Sequence, residues 1–377
     1  MIVSTPPEAA LSRVGLAWRE ELAHQILCSG GTIDLVEVIA EDWILQPRAR
    51  RSALRTLAAQ IPIVIHGVGL GLASAAPVSG ARLGAMAELL ADIRPGYWSE
   101  HLAFVRGGGV EVGHLAAPPR TAATVDGTLR NLRRVKERVG SLPLLENVAS
   151  LIDPPASDLS EAEWIGQIIA GSGAGLLLDL HNLYSNAINT GVSPRELLHQ
   201  MPLDAVRSVH LAGGKWVRTA NTDRWLDDHR HAVPAEVFDL LEELASAVRR
   251  PFDVVVEWDG NYPPFEQLLA EVEHARGAVV RGRARSTSSA LASPGAVLDS
   301  GGPGPVTIDK DAIATECFLA RLYTDSHFRD QFLAEPAAVL REFGFPSSLA
   351  ARLLELDRPG LELMARSLTA KRQKAAI

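Results

Sequence analysis

Cysteine is nearly absent from this chain: Cys28 and Cys317 are the two in 377 residues. That excludes a disulfide framework and a cysteine-based zinc site. Positive charge is in deficit, with 37 Lys and Arg against 45 Asp and Glu and a net charge of -8. A general nucleic-acid binder, or a surface that seeks anionic lipid, would be basic instead. No apolar run approaches the roughly 20 residues of a membrane span. The opening, MIVSTPPEAALSRVG, has no basic stretch leading into an apolar one, so no signal peptide is read there and a cytoplasmic location is expected. No G-x-G-x-x-G follows a first strand, which removes support for a dinucleotide fold. Aromatic residues make up only 5%. Trp43, Trp98, Trp216, Trp225 and Trp258 nevertheless fall near strand ends or in adjoining loops, mainly as packing residues.

The composition that remains is globular: 47% hydrophobic and 22% charged, which excludes a mostly disordered chain. Residues 1–280 carry eight short apolar, β-branched runs: Val14–Leu16, Ile33–Ile39, Ile61–Ile65, Tyr97–Leu102, Leu142–Glu146, Gly175–Leu180, Val206–Leu211 and Phe252–Glu257. Amphipathic stretches such as Thr128–Val139 and Glu161–Ala170 lie between most of them. Eight strands alternating with helices over about 250 residues predict a (β/α)8 TIM-type barrel, with a doubly wound sheet as the alternative. The segment FVRGGGVEVGHL reads as a hairpin inserted after the fourth strand. Residues 281–308, rich in Ser, Gly, Pro, Ala and Arg, read as a flexible linker. Residues 309–377 resume helical patterning. Leu319, Leu322, Phe328, Phe332 and Leu333 suggest one amphipathic helix, and Pro336, Gly344 and Pro346 punctuate the next two.

Ligand-type side chains gather where the apolar runs end. His66 closes IPIVIH, and Glu100 and His101 sit in YWSEHL. Glu146 and Asn147 end LPLLEN. Asp179, His181 and Asn182 sit in LLLDLHN, and His210 ends VRSVH. Asp227, His229 and His231 lie in WLDDHRH, and Glu257 ends VVVEWD. In a barrel the C-terminal strand ends form one mouth, so these residues would converge. Imidazole and carboxylate donors suit iron, manganese or zinc. Four carboxylates and four or more histidines exceed the needs of one ion, and bridging carboxylates hold metals about 3.5–4 Å apart. A metal-free cluster of buried carboxylates would repel itself. In an extended segment Asp227, His229 and His231 share a face, as Asp179 and His181 do. Asn182 follows where that strand should end, and His181 and Asn182 both stay open as the inner ligand. His24, His114, His199, His274 and His327 are read as structural or surface residues.

At these motifs the chain resembles the multinuclear non-heme iron-dependent oxidative enzymes, domain-of-unknown-function family 692. IHGVGLGL, WSEHLAF, LLENVAS, GLLLDLHNLY, VHLAGG, the D-x-H-x-H stretch and EWD run in that family's order over roughly residues 13–275. The resemblance implies a xylose-isomerase-like TIM barrel holding two or three iron ions, mixed-valent, with dioxygen as co-substrate. It implies metal ligands at His66, His101, Glu146, Asp179, Asn182, His210, Asp227, His229 and Glu257, with His181 and His231 as possible additions. His181 beside Asn182 and Arg230 within D-x-H-x-H are departures in detail. The first leaves the third ion's ligand set open. Members modify ribosomally made precursor peptides, mostly at cysteine, and often need a separate leader-binding partner protein. The helical module at 309–377 is a candidate fused substitute, or else a dimerisation or capping module. The competing reading is a divalent-metal sugar isomerase or epimerase, or an endonuclease, on the same barrel. Lys215 would then serve proton transfer, or Arg218, Arg224 and Arg230 would face nucleic acid.

Overall fold

A computed structural model describes residues 12–218, 223–288 and 308–375. In chain order the strands are β1 Val14–Ala17, β2 Val36–Ile39, β3 Ile63–Gly67 and β4 Trp98–His101. A hairpin follows, β5 Phe104–Gly107 and β6 Val110–Ala116. Then come β7 Leu144–Glu146, β8 Leu176–Asp179 and β9 Val206–Leu211. A second hairpin, β10 Gly214–Arg218 and β11 Asp223–Asp227, precedes β12 Asp253–Val256. Eight of these strands close a parallel barrel in the order β1-β12-β9-β8-β7-β4-β3-β2. Closure disposes of the doubly wound alternative, and each expected apolar run supplies one barrel strand. Both faces of such strands are covered, which is why they read as continuous runs rather than alternating ones. The helices Ala122–Val139 and Glu161–Ser172 each open on a capping box, at Thr121 and Ser160. Their apolar faces pack outside the sheet, with Val125, Leu132, Ile165 and Ile168 buried in the main core.

Two elements differ from the sequence reading. The start of the expected linker is helical: the last barrel helix runs Phe265–Ser288, so residues 281–288 belong to it. The remainder of the linker up to residue 307 lies outside the described residues. The expected helix through Leu319 and Leu333 is two, Lys310–Thr324 and Ser326–Ala334. Asp325 breaks it because its side chain accepts from Phe328 N at 3.0 Å, starting a new helix instead of continuing the old one.

Helices Pro336–Phe343, Ser347–Leu354 and Arg358–Ala375 complete the C-terminal module. The first two follow the punctuation at Pro336, Gly344 and Pro346. The module shares a second hydrophobic core with the inserted hairpin: Phe104, Val112 and Ala116 pack with Phe318, Tyr323, Leu340 and Leu361. A Cβ on Gly107 would fall 2.6 Å from the Glu316 carbonyl oxygen, so this approach of hairpin to helix requires glycine. Glu316, buried, accepts from Ser74 Oγ at 2.5 Å and Ala75 N at 2.6 Å. Asn131 holds that same loop: its Nδ2 donates to the carbonyls of Leu72, Ser74 and Ala76, and its Oδ1 accepts from Val78 N. Among the described residues, no helix is long and apolar enough to cross a membrane.

Candidate metal centre

Strand register brings the expected residues side by side at the C-terminal rim. His101 on β4 lies opposite Glu146 on β7, and Asp179 on β8 lies opposite His210 on β9. His66 ends the apolar part of β3, and Glu257 follows β12. Asp227 ends β11, and His229 enters the same group only because its φ of 52° turns the chain after the hairpin.

The donors fall into five groups that share members. His66 Nε2 and His101 Nε2 lie 3.4 and 3.3 Å from Glu146 Oε2. The other oxygen, Oε1, lies 3.3 Å from His210 Nδ1, which is 3.4 Å from Glu257 Oε2. Glu257 Oε2 is also 3.3 Å from His229 Nδ1, and His229 Nε2 is 2.9 Å from Asp227 Oδ1. Asp179 belongs to two of the groupings, with Glu146 and His210 and with His229 and Glu257. Adjacent donors on an octahedral ion with bonds of about 2.1 Å stand about 3 Å apart, the spacing found here.

The hydrogen bonds outside the cluster aim its donors inward. His101 Nδ1 donates to Gly67 O at 3.2 Å, which leaves its Nε2 lone pair facing Glu146. His66 Nδ1 shares a 2.8 Å bond with Ser99 Oγ. His210 Nε2 donates to Glu37 Oε2 at 2.9 Å, turning Nδ1 to the centre. Asp179 divides its oxygens: Oδ1 caps the helix Leu180–Thr190 by accepting from Asn182 N at 2.7 Å, while Oδ2 has no hydrogen-bond partner. Asn147 is no donor to the cluster. It accepts from Asp179 N and donates to Asp179 O, fixing the end of β8. Asn182 donates from Nδ2 to Asn147 O and leaves Oδ1 unpartnered. Glu146 Oε2, His210 Nδ1, Asp227 Oδ1 and His229 Nε2 are likewise buried without a hydrogen-bond partner. Such a set of orphaned acceptors is costly unless a cation or protons occupy it.

The electrostatics carry the same message. Burial opposes ionisation of Glu146, yet the imidazoles of His101, His210 and His66 hold its pKa below the ordinary value. Glu257 is held well below by His210 and His229 against its own burial. His210 and His229 are buried, yet neighbouring carboxylates hold both well above a normal histidine. Asp179 is pushed well up by burial and by Glu146. Burial brings His66 down to about 3. Protons here balance an excess of carboxylates, and binding cations would displace them.

Trp225 Nε1 donates to His181 Nε2 at 2.9 Å. A neutral imidazole that accepts at Nε2 carries its proton at Nδ1, and His181 Nδ1 lies 2.8 Å from Asp227 Oδ1. His181 Nδ1 and Asn182 Oδ1 are both buried without a hydrogen-bond partner, and His181 groups with Asp227 and His229 as one possible metal-holding set. His231 does not join the cluster. The turn at His229 ends the expected alternation, and His231 Nδ1 pairs outside with Asp228 Oδ1 at 2.8 Å. Lys215 is occupied with Asp228 at 3.3 Å on the second hairpin, and Arg224 with Asp357 at 2.7 Å. Arg230 reaches the mouth and donates to Asn261. Arg218 is exposed on β10.

Sequence reasoning missed Glu37, fully buried in β2 behind His210, although one acid inside the apolar run DLVEVIA was a signal. It also set aside His114, which lines the mouth from β6. His274 stacks on Phe238, and His199 pairs with Glu243. The mouth is a cavity of about 650 Å³, and Met364, Ser367 and Leu368 of the final helix form part of its wall.

Among known proteins, a "UPF0276 protein" of Streptomyces avermitilis is 35% identical over 266 residues, 68% of this chain. The chain spans about half of that relative, 53% of its length. A "UPF0276 protein" of Chromobacterium violaceum is 30% identical, covering 71% of this chain and 89% of the relative. A xylose isomerase domain protein from Alicyclobacillus acidocaldarius superposes with a TM-score of 0.50 at 15% identity. That match covers 73% of this chain and all of the other, and it bears on the fold alone. A profile described as "RiPP precursor modification enzyme MbnB/TglH/ChrH" matches residues 13–279, the span that carries every donor of the cluster. The chain belongs to this family of enzymes that modify ribosomally synthesised precursor peptides.

Proposed function

We propose that the protein is a multinuclear iron-dependent oxidase that modifies a precursor peptide, at cysteine, with dioxygen as co-substrate. The observation that carries this reading is the convergence of imidazole and carboxylate donors from six strand ends and the β11 turn at octahedral spacing, with atoms of Glu146, Asp179, His210, Asp227 and His229 buried without a hydrogen-bond partner. All are nitrogen or oxygen, a set that suits iron without a resident thiolate. His66, His101 and Glu146 would hold one ion. Glu146, Asp179, His210 and Glu257 would hold the second, and Asp179, Asn182, Asp227, His229 and Glu257 a third. Two or three iron ions, when bound, supply the redox chemistry that couples dioxygen reduction to oxidation of a thiol substrate.

The chain's own contribution is placement. Glu37, Ser99 and the Gly67 carbonyl fix the imidazoles, and Asp179 and Asn147 fix β8 against the next helix. Arg19 and Arg230 stand at the mouth, where a peptide's carbonyl and carboxylate groups would enter. A peptide substrate also accounts for a cavity walled by a second module. Location in the cytoplasm and a separate leader-binding partner are further parts of this reading.

The test joins elemental analysis and Mössbauer spectra of iron-labelled protein with the mass of a co-expressed precursor peptide. Two or three irons per chain, and a mass change that needs air, are the expected results. Stoichiometric zinc, manganese or magnesium with little iron after anaerobic purification would overturn the iron reading. It would favour an isomerase or nuclease.

A further inference from the structure

Beside the mouth lies a second cavity, of about 740 Å³. On one side are Glu161, Asn186 and Glu196 of the barrel helices, and on the other Arg352, Glu355 and Asp357 of the C-terminal module. The two cavities share Val148, Ser150 and Leu151, which directly follow the β7 end that bears Glu146. The two cavities adjoin along this stretch, and the module walls both. Each has the volume of a small-molecule site, roughly 300–1,000 Å³.

The far wall is anchored. Arg224 of β11 pairs with Asp357 at 2.7 Å, and Asp158 with Arg352 at 2.8 Å. These contacts tie the module to the barrel along the outer cavity, and Glu316 on Ser74 and Ala75 ties it at a point outside both cavities. The charges in the outer cavity are unbalanced. Its cations are taken: Arg120 by Asp153, Arg224 by Asp357 and Arg352 by Asp158. Among the described residues, Glu161, Glu196 and Glu355 have no cation at salt-bridge distance. Glu161 accepts from the amide of Asn186, and burial raises its pKa against the nearby charge of Arg120.

We propose that the two cavities join as one trench and that this trench is the track of the peptide substrate. An extended segment bearing basic residues lies between barrel and module and delivers its reactive residue past Val148–Leu151 to the metal cavity. The inference rests on the peptide-modifying reading above and adds where the peptide lies and what chemistry its flank carries. It also makes Glu196 and Glu355 specificity-determining residues, one on each wall.

Full-length protein loaded with cobalt(II) reports thiol binding through thiolate-to-cobalt absorption. Three probes are titrated: N-acetylcysteinamide, a short Gly/Ser peptide with a central cysteine, and the same peptide with lysines on one side. The lysine peptide is expected to bind about fivefold or more tighter than the neutral one at low salt. Glu196→Lys and Glu355→Lys should each reduce that preference and together abolish it, with N-acetylcysteinamide unchanged. Glu137→Lys, an exposed reversal outside both cavities, should leave the preference intact. Equal affinity of the two peptides would overturn the proposal, as would a preference that Glu355→Lys does not move or that Glu137→Lys reduces as strongly. Absence of a thiolate band with every probe, N-acetylcysteinamide included, would instead strike the metal-centred reading on which it rests.

Discussion

Replacing Glu316 by glutamine should make the chain's thermal stability less dependent on pH. The side chain is 1% exposed, and burial pushes its carboxyl up to about 7, while the bonds from Ser74 and Ala75 pull the other way. In the unfolded chain the group releases its proton near the ordinary 4.5. Between those values the folded state holds the proton and the unfolded state does not. Stability therefore falls as pH rises through that window. Linkage puts the loss at about 2.5 kcal/mol between about pH 5 and about pH 8.5. At about 1.3 °C per kcal/mol for a chain of this size, that is about 3 °C. Glutamine keeps the contact, because its oxygen accepts from Ala75 N–H and its amide donates to Ser74 Oγ. Glu271, also raised to about 7 by burial, is common to both proteins and drops out of the comparison. Calorimetric melts of parent and variant at the two pH values should show the variant gaining about 3 °C relative to the parent at the higher pH. A difference that stays constant with pH would refute the reasoning.

Further expectations concern the centre and its supports. Glu37→Ala should weaken metal binding about tenfold to a hundredfold in chelator competition, and Glu37→Gln less, because the amide oxygen still accepts from His210. In Gly213→Ala the new Cβ would fall 2.1 Å from His231 O, so the turn carrying His229 must move. Elemental analysis should show about one ion lost, with those near His66 and His101 retained. Asn131→Ala removes the partners of four backbone groups around the loop that receives Glu316, and urea denaturation should show a loss of about 3 kcal/mol or more.

The barrel was legible because parallel strands buried on both faces leave unbroken apolar runs, and because ligand-type residues stood at their ends. His66, His101, Glu146, Asp179, His210, Asp227, His229 and Glu257 come together as that placement implied. What the sequence concealed depends on local turns and on partners distant in the chain. His231 followed from an alternation that the positive φ of His229 interrupts. The hydrogen bond that His181 receives from the indole of Trp225 was hidden because the two lie more than forty positions apart. Glu37 sat inside a strand rather than at its end, and only the closed barrel sets it against His210, 173 positions along the chain. The helical start of the linker was hidden because arginine, serine and alanine suit an exposed last turn as readily as a loop.

The inserted hairpin enters between the two barrel strands that end in His101 and Glu146. The hairpin is thus inserted at a single point of the sheet and leaves the order of the eight barrel strands unchanged, while the module packed on it is also held by Asp158, Arg224 and the Ser74–Ala75 loop. Such an arrangement lets the roof be exchanged while the chemistry beneath is inherited intact. The same seam offers an engineer a place to exchange the hairpin without altering the strand order of the barrel.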